Sequence, residues 1–172
     1  NPSPVVTFSP TNQTICSGET SALVNLSSTT PGATFSWTAV QPAGITGVIT
    51  SGTNTIPAQN LVNSTNASIT IIYVAVAVTT GGNTCAGITY NYTITVNPKP
   101  SITENFAEAI CSGGTFAITP ANSASNSIPS GTTYSWGVPV VSGGITGGAS
   151  TTNQTTIGGN LINPTNTVQT AT

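Results

Sequence analysis

The sequence predicts an all-β protein built from tandem immunoglobulin-like antiparallel β-sandwiches. Three observations predict this fold class. Apolar and polar residues alternate over several short segments, glycine and proline interrupt the chain at short intervals, and several motifs occur twice in the same order. No segment keeps the 3.6-residue period of an amphipathic helix, so we expect strands throughout.

Individual strands follow from the alternation of side chains between two faces. In residues 88–96 every second residue is apolar and the residues between them are Thr or Asn, which indicates a half-buried antiparallel strand. Residues 34–39 alternate in the same way and direct Trp37 inward. In residues 68–78 the apolar phase changes midway, which predicts a bulge or a strand that is buried on both faces.

Five short motifs occur twice, which predicts two copies of one unit. They are NPSP (1–4) and NPKP (97–100), ICSGET (15–20) and ICSGGT (110–115), FSW (35–37) and YSW (134–136), GITG (44–47 and 144–147), and NLVNSTN (60–66) and NLINPTN (160–166). We therefore expect a complete unit in residues 1–96 and a second unit in residues 97–172. In this alignment the second unit lacks counterparts of residues 73–96, the last two strands of the first.

The surface of this protein must be solubilised almost without charge. Only 2% of the 172 residues are charged, and 34 Thr, 19 Ser and 17 Asn supply polar groups instead. Lys99 is the only cation, which excludes a nucleic-acid partner, because phosphate binding needs clusters of Lys and Arg. The longest apolar run, residues 69–78, falls short of the roughly 20 residues that span a bilayer, so we expect no membrane insertion.

Catalysis and metal binding need side chains that this sequence largely lacks. There is no His and no Asp, and the only acids are Glu19, Glu104 and Glu108. We expect Glu104 and Glu108 to be a solvated pair, and Glu19 is replaced by Gly114 in the second copy. The sequence therefore predicts no enzyme, no catalytic residue, no metal site and no cofactor.

The three cysteines follow the repeat. We expect Cys16 and Cys85 to meet at one end of the first sandwich and form a disulfide, which would contribute roughly 4 kcal/mol by closing a loop of about 70 residues. Cys111 is the counterpart of Cys16, and its partner is expected beyond the chain end. The alternatives are three free thiols or a dimer linked through Cys111. A disulfide favours an oxidising, extracytoplasmic compartment.

Trp37 and Trp136 occupy matching positions in the two copies. A Trp on the third strand is typical of the core of an immunoglobulin-like sandwich, so both are predicted to be core residues. The alternative is that they form an exposed platform for stacking sugars, together with Phe35 and Tyr134.

Several motifs that are weak singly are moderately specific in combination. They are the N-P-x-P start, I-C-S-G-x-T, [FY]-S-W, N-L-[VI]-N-x-T-N, a late Cys and the Y-x-[IV]-x-V-N-P end. Together they resemble the PKD-like repeats of giant cell-surface adhesins in Bacteroidota. The resemblance covers the whole chain and implies type IX secretion, with a role in gliding motility or attachment. The acidic, glycine-rich stretch that follows Y-x-W in PKD domains is absent after Trp37 and Trp136.

These observations predict a structural repeat of a large extracellular adhesin or filament. It would act as a cell-surface stalk or spacer, with neighbouring repeats of the same chain joined by the proline-containing link of residues 97–100. Surface polysaccharide and other filament subunits are further candidate partners. The alternatives are a carbohydrate-binding module, which needs exposed aromatic residues, and a self-assembling fibre subunit that accepts a donor strand at an open sheet edge.

Overall fold

All regular secondary structure in the part of the chain that the structure describes is β. The structure is a computed structural model that describes residues 3–79 and 85–172, apart from the side chain of Cys85. The chain divides into Asn1–Lys99 and Pro100–Thr172, here called unit 1 and unit 2. The predicted all-β, immunoglobulin-like class is confirmed.

Seventeen strands are described, most of them short. In unit 1 they are β1 (Thr7–Ser9), β2 (Gln13–Cys16), β3 (Val24–Ser27), β4 (Ala33–Ala39), β5 (Ile45–Thr46), β6 (Ser51–Thr53), β7 (Thr55–Ile56), β8 (Val62–Asn63), β9 (Ile69–Thr79), β10 (Cys85–Ala86) and β11 (Tyr90–Asn97). Unit 2 contains β12 (Ser101–Ile102), β13 (Thr115–Ile118), β14 (Asn126–Ser127), β15 (Tyr134–Trp136), β16 (Thr151–Gln154) and β17 (Ile157–Asn160).

Two main sheets form unit 1. The smaller sheet has the order β1-β3-β7, and the larger has the order β2-β11-β9-β4-β6, with β10 also paired to β9. All of these pairs are antiparallel except β2 with β11, which run parallel. Strand β9 therefore lies at the centre of the larger sheet, hydrogen-bonded along both edges.

The inward face of β9 supplies much of the core of unit 1. Ile71, Tyr73, Ala75 and Ala77 are fully buried at alternate positions, and the registers of β9 with β4 and β11 run without a shift. The predicted bulge is therefore wrong. The outward Ile72 is 48% exposed, so burial on both faces is also wrong, and the apolar outward residues reflect the preference of branched side chains for strands.

Trp37 packs against this inward face. Its side chain is 2% exposed, and its indole nitrogen donates to the carbonyl oxygen of Thr55 at 2.9 Å. The ring meets that of Tyr73 edge-on, with centroids 5.6 Å apart and an interplanar angle of 66°. Gly52, opposite Trp37 on β6, leaves room for the ring. Trp37 is thus a core residue, as predicted.

Two of the repeated motifs, I-C-S-G-x-T and N-L-[VI]-N-x-T-N, contact each other in both units. In unit 1, Gly18 donates its N–H to the carbonyl of Leu61 at 2.8 Å, and its own carbonyl accepts from the amide of Asn60 at 2.7 Å. In unit 2 the matching distances are 2.9 and 2.6 Å, between Gly113 and residues 161 and 160. The shared contacts support the alignment that the sequence repeats predict.

Unit 2 differs from unit 1 in its strand pairing and in the exposure of its inward-facing side chains. Its strands pair only in twos, as β12–β14, β13–β17 and β15–β16. Tyr134 is 9% exposed, but Trp136 is only half-buried and Val138 is 71% exposed. No strand within residues 100–172 takes the place of β9, and the role of Trp136 as a core residue stays a prediction.

We expect the substitution Gly52→Ala to destabilise unit 1 by about 1–3 kcal/mol, because the added methyl group would collide with the Trp37 ring. Gly137→Ala is the control, since a Cβ there has nothing within 4 Å, and its effect should stay within about 0.5 kcal/mol. Urea unfolding followed by circular dichroism measures both. Equal effects of the two substitutions would contradict the tight packing at Gly52.

Candidate functional site

Two of the acidic side chains, those of Glu19 and Glu104, accept hydrogen bonds from neighbouring loops. A carboxylate oxygen of Glu19 accepts the backbone N–H of Cys16 at 2.8 Å. The carboxylate of Glu104 accepts from the hydroxyl of Ser123 and from the amide of Asn126, each at 2.7 Å. Glu104 and Glu108 are both exposed to solvent, and Glu104 makes these two contacts in addition, which the sequence does not predict. Its carboxylate fixes the loop that precedes β14.

Neither a metal cluster nor a membrane-spanning helix is found among the described residues. In that part of the chain, no group of three or more His, Cys, Asp or Glu side chains lies close enough to hold a metal ion. Likewise, none of the described segments forms a helix that is long and apolar enough to cross a bilayer.

The side-chain amide of Asn63 is a buried connector in unit 1. Its nitrogen donates to the carbonyls of Ala67 at 2.8 Å and Val96 at 2.9 Å. Its oxygen accepts the N–H of Thr65 at 2.9 Å and the hydroxyl of the same residue at 2.7 Å. Both donors and both lone pairs of the amide are thus used. Asn63 joins the loop that precedes β9 to the end of β11.

The sequence signal for this connector is the N-x-T that occurs in both NLVNSTN and NLINPTN. The sequence alone identifies this motif as a repeat but does not reveal its structural role. In unit 2, Asn163 makes the matching bonds to Thr165 and Thr167 at 2.8–2.9 Å. The Asn63 bond to Val96 has no counterpart within residues 100–172.

Two tyrosines lie in the core of unit 1, each bonded to a glutamine. The Tyr73 hydroxyl accepts from the Gln59 amide nitrogen at 3.0 Å, and the Tyr92 hydroxyl accepts from the Gln13 amide nitrogen at 2.7 Å. Their ring centroids are 6.2 Å apart. Burial raises the pKa of both hydroxyls above the usual 10.0, and the glutamine hydrogen bonds oppose that rise. The nearby Tyr92 raises the pKa of Tyr73 further.

The backbone registers contradict the predicted Cys16–Cys85 disulfide. Cys85 pairs with Thr79 at one end of β9. Cys16 pairs with Asn97, next to the rung that joins β11 to Ile69 at the other end. Ten residues of strand separate these ends, which is about 33 Å at the usual rise, whereas a disulfide needs Cα atoms within about 7 Å.

The remaining predictions about the cysteines are less constrained. The side chain of Cys85 lies outside the described residues. Cys16 and Cys111 are both exposed and unbonded to another described cysteine. The partner that the sequence predicts for Cys111, beyond Thr172, stays a prediction.

Unit 2 contains an open groove at the position where unit 1 has its core. The groove has a volume of about 700 Å³ and is lined mainly by apolar groups. Its lining includes Phe116, Trp136, Pro139, Ile157 and Leu161. The alternative of an exposed aromatic platform has no support in unit 1, because Trp37 is buried, and in unit 2 Trp136 forms one wall of a groove.

We expect the stability of unit 1 to be constant from neutral pH to about pH 9 and to fall above about pH 10. The pKa of Tyr73 and Tyr92 is higher in the folded state than in the unfolded chain. As the pH rises, the unfolded chain therefore loses these protons at a lower pH, and this proton loss favours unfolding. Urea unfolding at several pH values measures the decline. Tyr73→Phe should reduce its steepness, and an unchanged steepness would contradict the role of this tyrosine.

We expect no Cys16–Cys85 cross-link within one chain. Peptide mapping of the monomeric protein by mass spectrometry, without reduction, should show Cys16 and Cys111 modified by iodoacetamide, because both thiols are exposed. A reduced sample gives the reference labelling. A peptide that joins residues 16 and 85 in the monomer fraction would show that the strand registers are wrong.

Comparison with known families agrees with the fold. The family model described as a PKD-like domain matches residues 13–100, just over half of the 172-residue chain, from β2 to the end of unit 1. Among curated proteins, none matches the chain. Domains of this kind are commonly extracellular structural or adhesion modules and are generally not catalytic. The chain belongs to the family of PKD-like domains.

Proposed function

We propose that this protein is a non-catalytic structural repeat of a large cell-surface adhesin or filament, and that it acts as a stalk or spacer in attachment or gliding motility. The two units are tandem copies in this proposal, and further copies are its natural neighbours. The family match supports an extracellular structural module. The repeated motifs and the loop contacts shared by the two units support the tandem arrangement.

One observation carries the stalk function: the chain enters and leaves unit 1 at opposite ends of β9. The backbone of Pro4 lies against Gly87, which donates its N–H to Ala77 near the end of β9. The chain leaves after Asn97, beyond the rung between Val96 and Ile69 at the other end. A module with this geometry adds about 30 Å of length to the chain that contains it, since strands rise about 3.3 Å per residue.

The same geometry directs tension along the strands. Strand β2 runs parallel to β11 over four rungs, from Gln13 opposite Ile94 to Cys16 opposite Asn97. Force that pulls the amino-terminal side toward one end and β11 toward the other slides these strands past each other. All the rungs then share the load, whereas a peeled strand loses its hydrogen bonds one at a time. This arrangement suits a repeat that resists extension.

Single-molecule force spectroscopy tests the proposal. The full chain is pulled through its two ends, with Cys16, Cys85 and Cys111 changed to Ser. The control has the same substitutions and is pulled through cysteines placed at Thr29 and Ile88. Both of these positions are exposed and lie toward the Thr79 end of β9. We expect unit 1 to unfold at a clearly higher force through its ends. An equal or lower force would contradict a load-carrying role.

The carbohydrate-binding alternative has little support in unit 1. Trp37 is buried, and its indole nitrogen is already bonded to a backbone carbonyl, so neither its face nor its polar group is available to a sugar. In unit 2, Trp136 is half-buried and forms one wall of a groove.

A further inference from the structure

The outer face of the larger sheet of unit 1 has an aliphatic stripe along its centre, formed by Ile72, Val74, Val76 and Val78 of β9. These alternate residues point away from the core. Ile72 and Val74 are 48% and 37% exposed, and Val76 and Val78 are half-buried. The aliphatic stripe therefore contacts solvent over a length of about 20 Å, at about 3.3 Å per residue.

Strand preference alone does not explain why the outward residues of β9 are aliphatic. Val, Ile and Thr are all branched at Cβ, and all three favour strands. The strands of the smaller sheet carry only polar residues at their outward positions. These are Thr7, Ser9, Asn25, Ser27 and Thr55. The aliphatic stripe is thus a feature of one face of unit 1 and not of its strands in general.

Neutral polar side chains flank the aliphatic stripe on both sides. On the β4 side, each paired position has Ser or Thr, and Thr38 is opposite Val74. On the β11 side, Asn91 is opposite Val74 and Thr93 is opposite Ile72. None of the four charged residues in the sequence lies on the described strands β4, β9 and β11, and the aromatic residues of these strands are at inward positions. The face therefore has no group that attracts a charged partner and no ring on which a sugar stacks.

This arrangement of side chains is complementary to itself. A hydroxyl group both donates and accepts hydrogen bonds, so a row of Ser and Thr can bond an identical row. The hydroxyls of Thr70 and Thr95 already pair in this way on the same face, at 3.0 Å. Because both flanks of the aliphatic stripe are polar and neutral, a two-fold rotation places stripe on stripe and polar row on polar row. Such isologous contacts are the commonest in homodimers.

The area of the face is sufficient for a small specific interface. The neighbouring strands β6, β4, β9 and β11 span about 19 Å across the sheet, and the outward residues from Thr70 to Val78 span about 26 Å along it. Two such faces bury about 1,000 Å² together, which is close to the smallest area of a specific interface. We therefore expect a dissociation constant on the order of 10–100 μM.

We propose that two copies of this chain associate side by side through the outer face of the larger sheet of unit 1, with the aliphatic stripe of each copy packed against that of the other. The contact removes the aliphatic side chains from water without burying an ion. Two sheets in this arrangement repeat the packing of a sandwich, about 10 Å apart. The proposal goes beyond the stalk function and does not depend on it, since lateral association requires no resistance to force.

Sedimentation equilibrium of the full chain at several concentrations tests the proposal. A reductant is present throughout, because Cys16 and Cys111 are exposed and would otherwise be free to link two chains. We expect the wild-type chain to show a monomer–dimer equilibrium. Ile72→Glu should weaken the association by at least about a hundredfold, because the dimer would bury unpaired carboxylates.

The matched control for this substitution is Leu23→Glu. Leu23 is 49% exposed, close to the value for Ile72, and it directly precedes β3 of the smaller sheet, outside the proposed contact. Both variants change the net charge by the same amount, so a general effect of charge on association is equal in the two. We expect Leu23→Glu to change the dissociation constant by less than about twofold.

A second variant keeps the proposal testable if Ile72→Glu unfolds unit 1. The double substitution Ile72→Thr and Val74→Thr keeps the branched side chains that strands prefer. We expect its circular dichroism spectrum to match that of the wild-type chain. Its association should be at least about tenfold weaker, because the contact loses buried apolar area.

The following results would overturn the proposal. One is a wild-type chain that stays monomeric at concentrations well above the expected dissociation constant. Another is an association that neither Ile72→Glu nor the double threonine variant weakens, which would place the contact elsewhere on the chain. A monomeric chain that binds insoluble cellulose, and loses this binding in the double threonine variant, would show that a neutral polysaccharide covers the aliphatic stripe instead.

Discussion

The packing of side chains against the inward face of the central strand β9 is the interaction on which the rest of unit 1 depends. Its inward side chains complete the environment of Trp37, and its two edges hold β4 and β11 in register. Residues 100–172 of unit 2 contain no strand in the corresponding place. Its loops keep the same hydrogen bonds, but its strands pair only in twos and Trp136 lines an open groove. Local motifs are therefore sufficient for the loops, whereas the closed core requires the central strand.

A second constraint is that polar groups inside this protein are neutral. Asn63 and Gln59 are buried and bonded to backbone and tyrosine groups. Neutral amides cost much less to bury than ions do, provided that every donor and acceptor finds a partner. Among the described residues, the core of unit 1 contains no acid, and its buried ionisable side chains are those of Tyr73 and Tyr92.

The direction of the strands links this core to the proposed function. Because the chain enters at one end of β9 and leaves at the other, tension acts along the β2–β11 ladder. The same geometry places Cys16 and Cys85 at opposite ends of unit 1, so they do not close a loop within it. The strength of the unit rests on hydrogen bonds and packing.

The sequence by itself determined the all-β class, the inward direction of Trp37, and the repeated motifs, because alternation with a period of two and short turn-forming segments are local properties. It also determined the lack of charge that argues against catalysis. Only the tertiary structure decided which strands are neighbours. The predicted cysteine pairing is wrong, because Cys16 lies beside Asn97 and Cys85 lies beside Thr79. Which strands become neighbours in a sheet is not determined by the local sequence. Likewise, Trp37 and Trp136 have similar local sequences, and their different burial depends on whether a distant segment covers them.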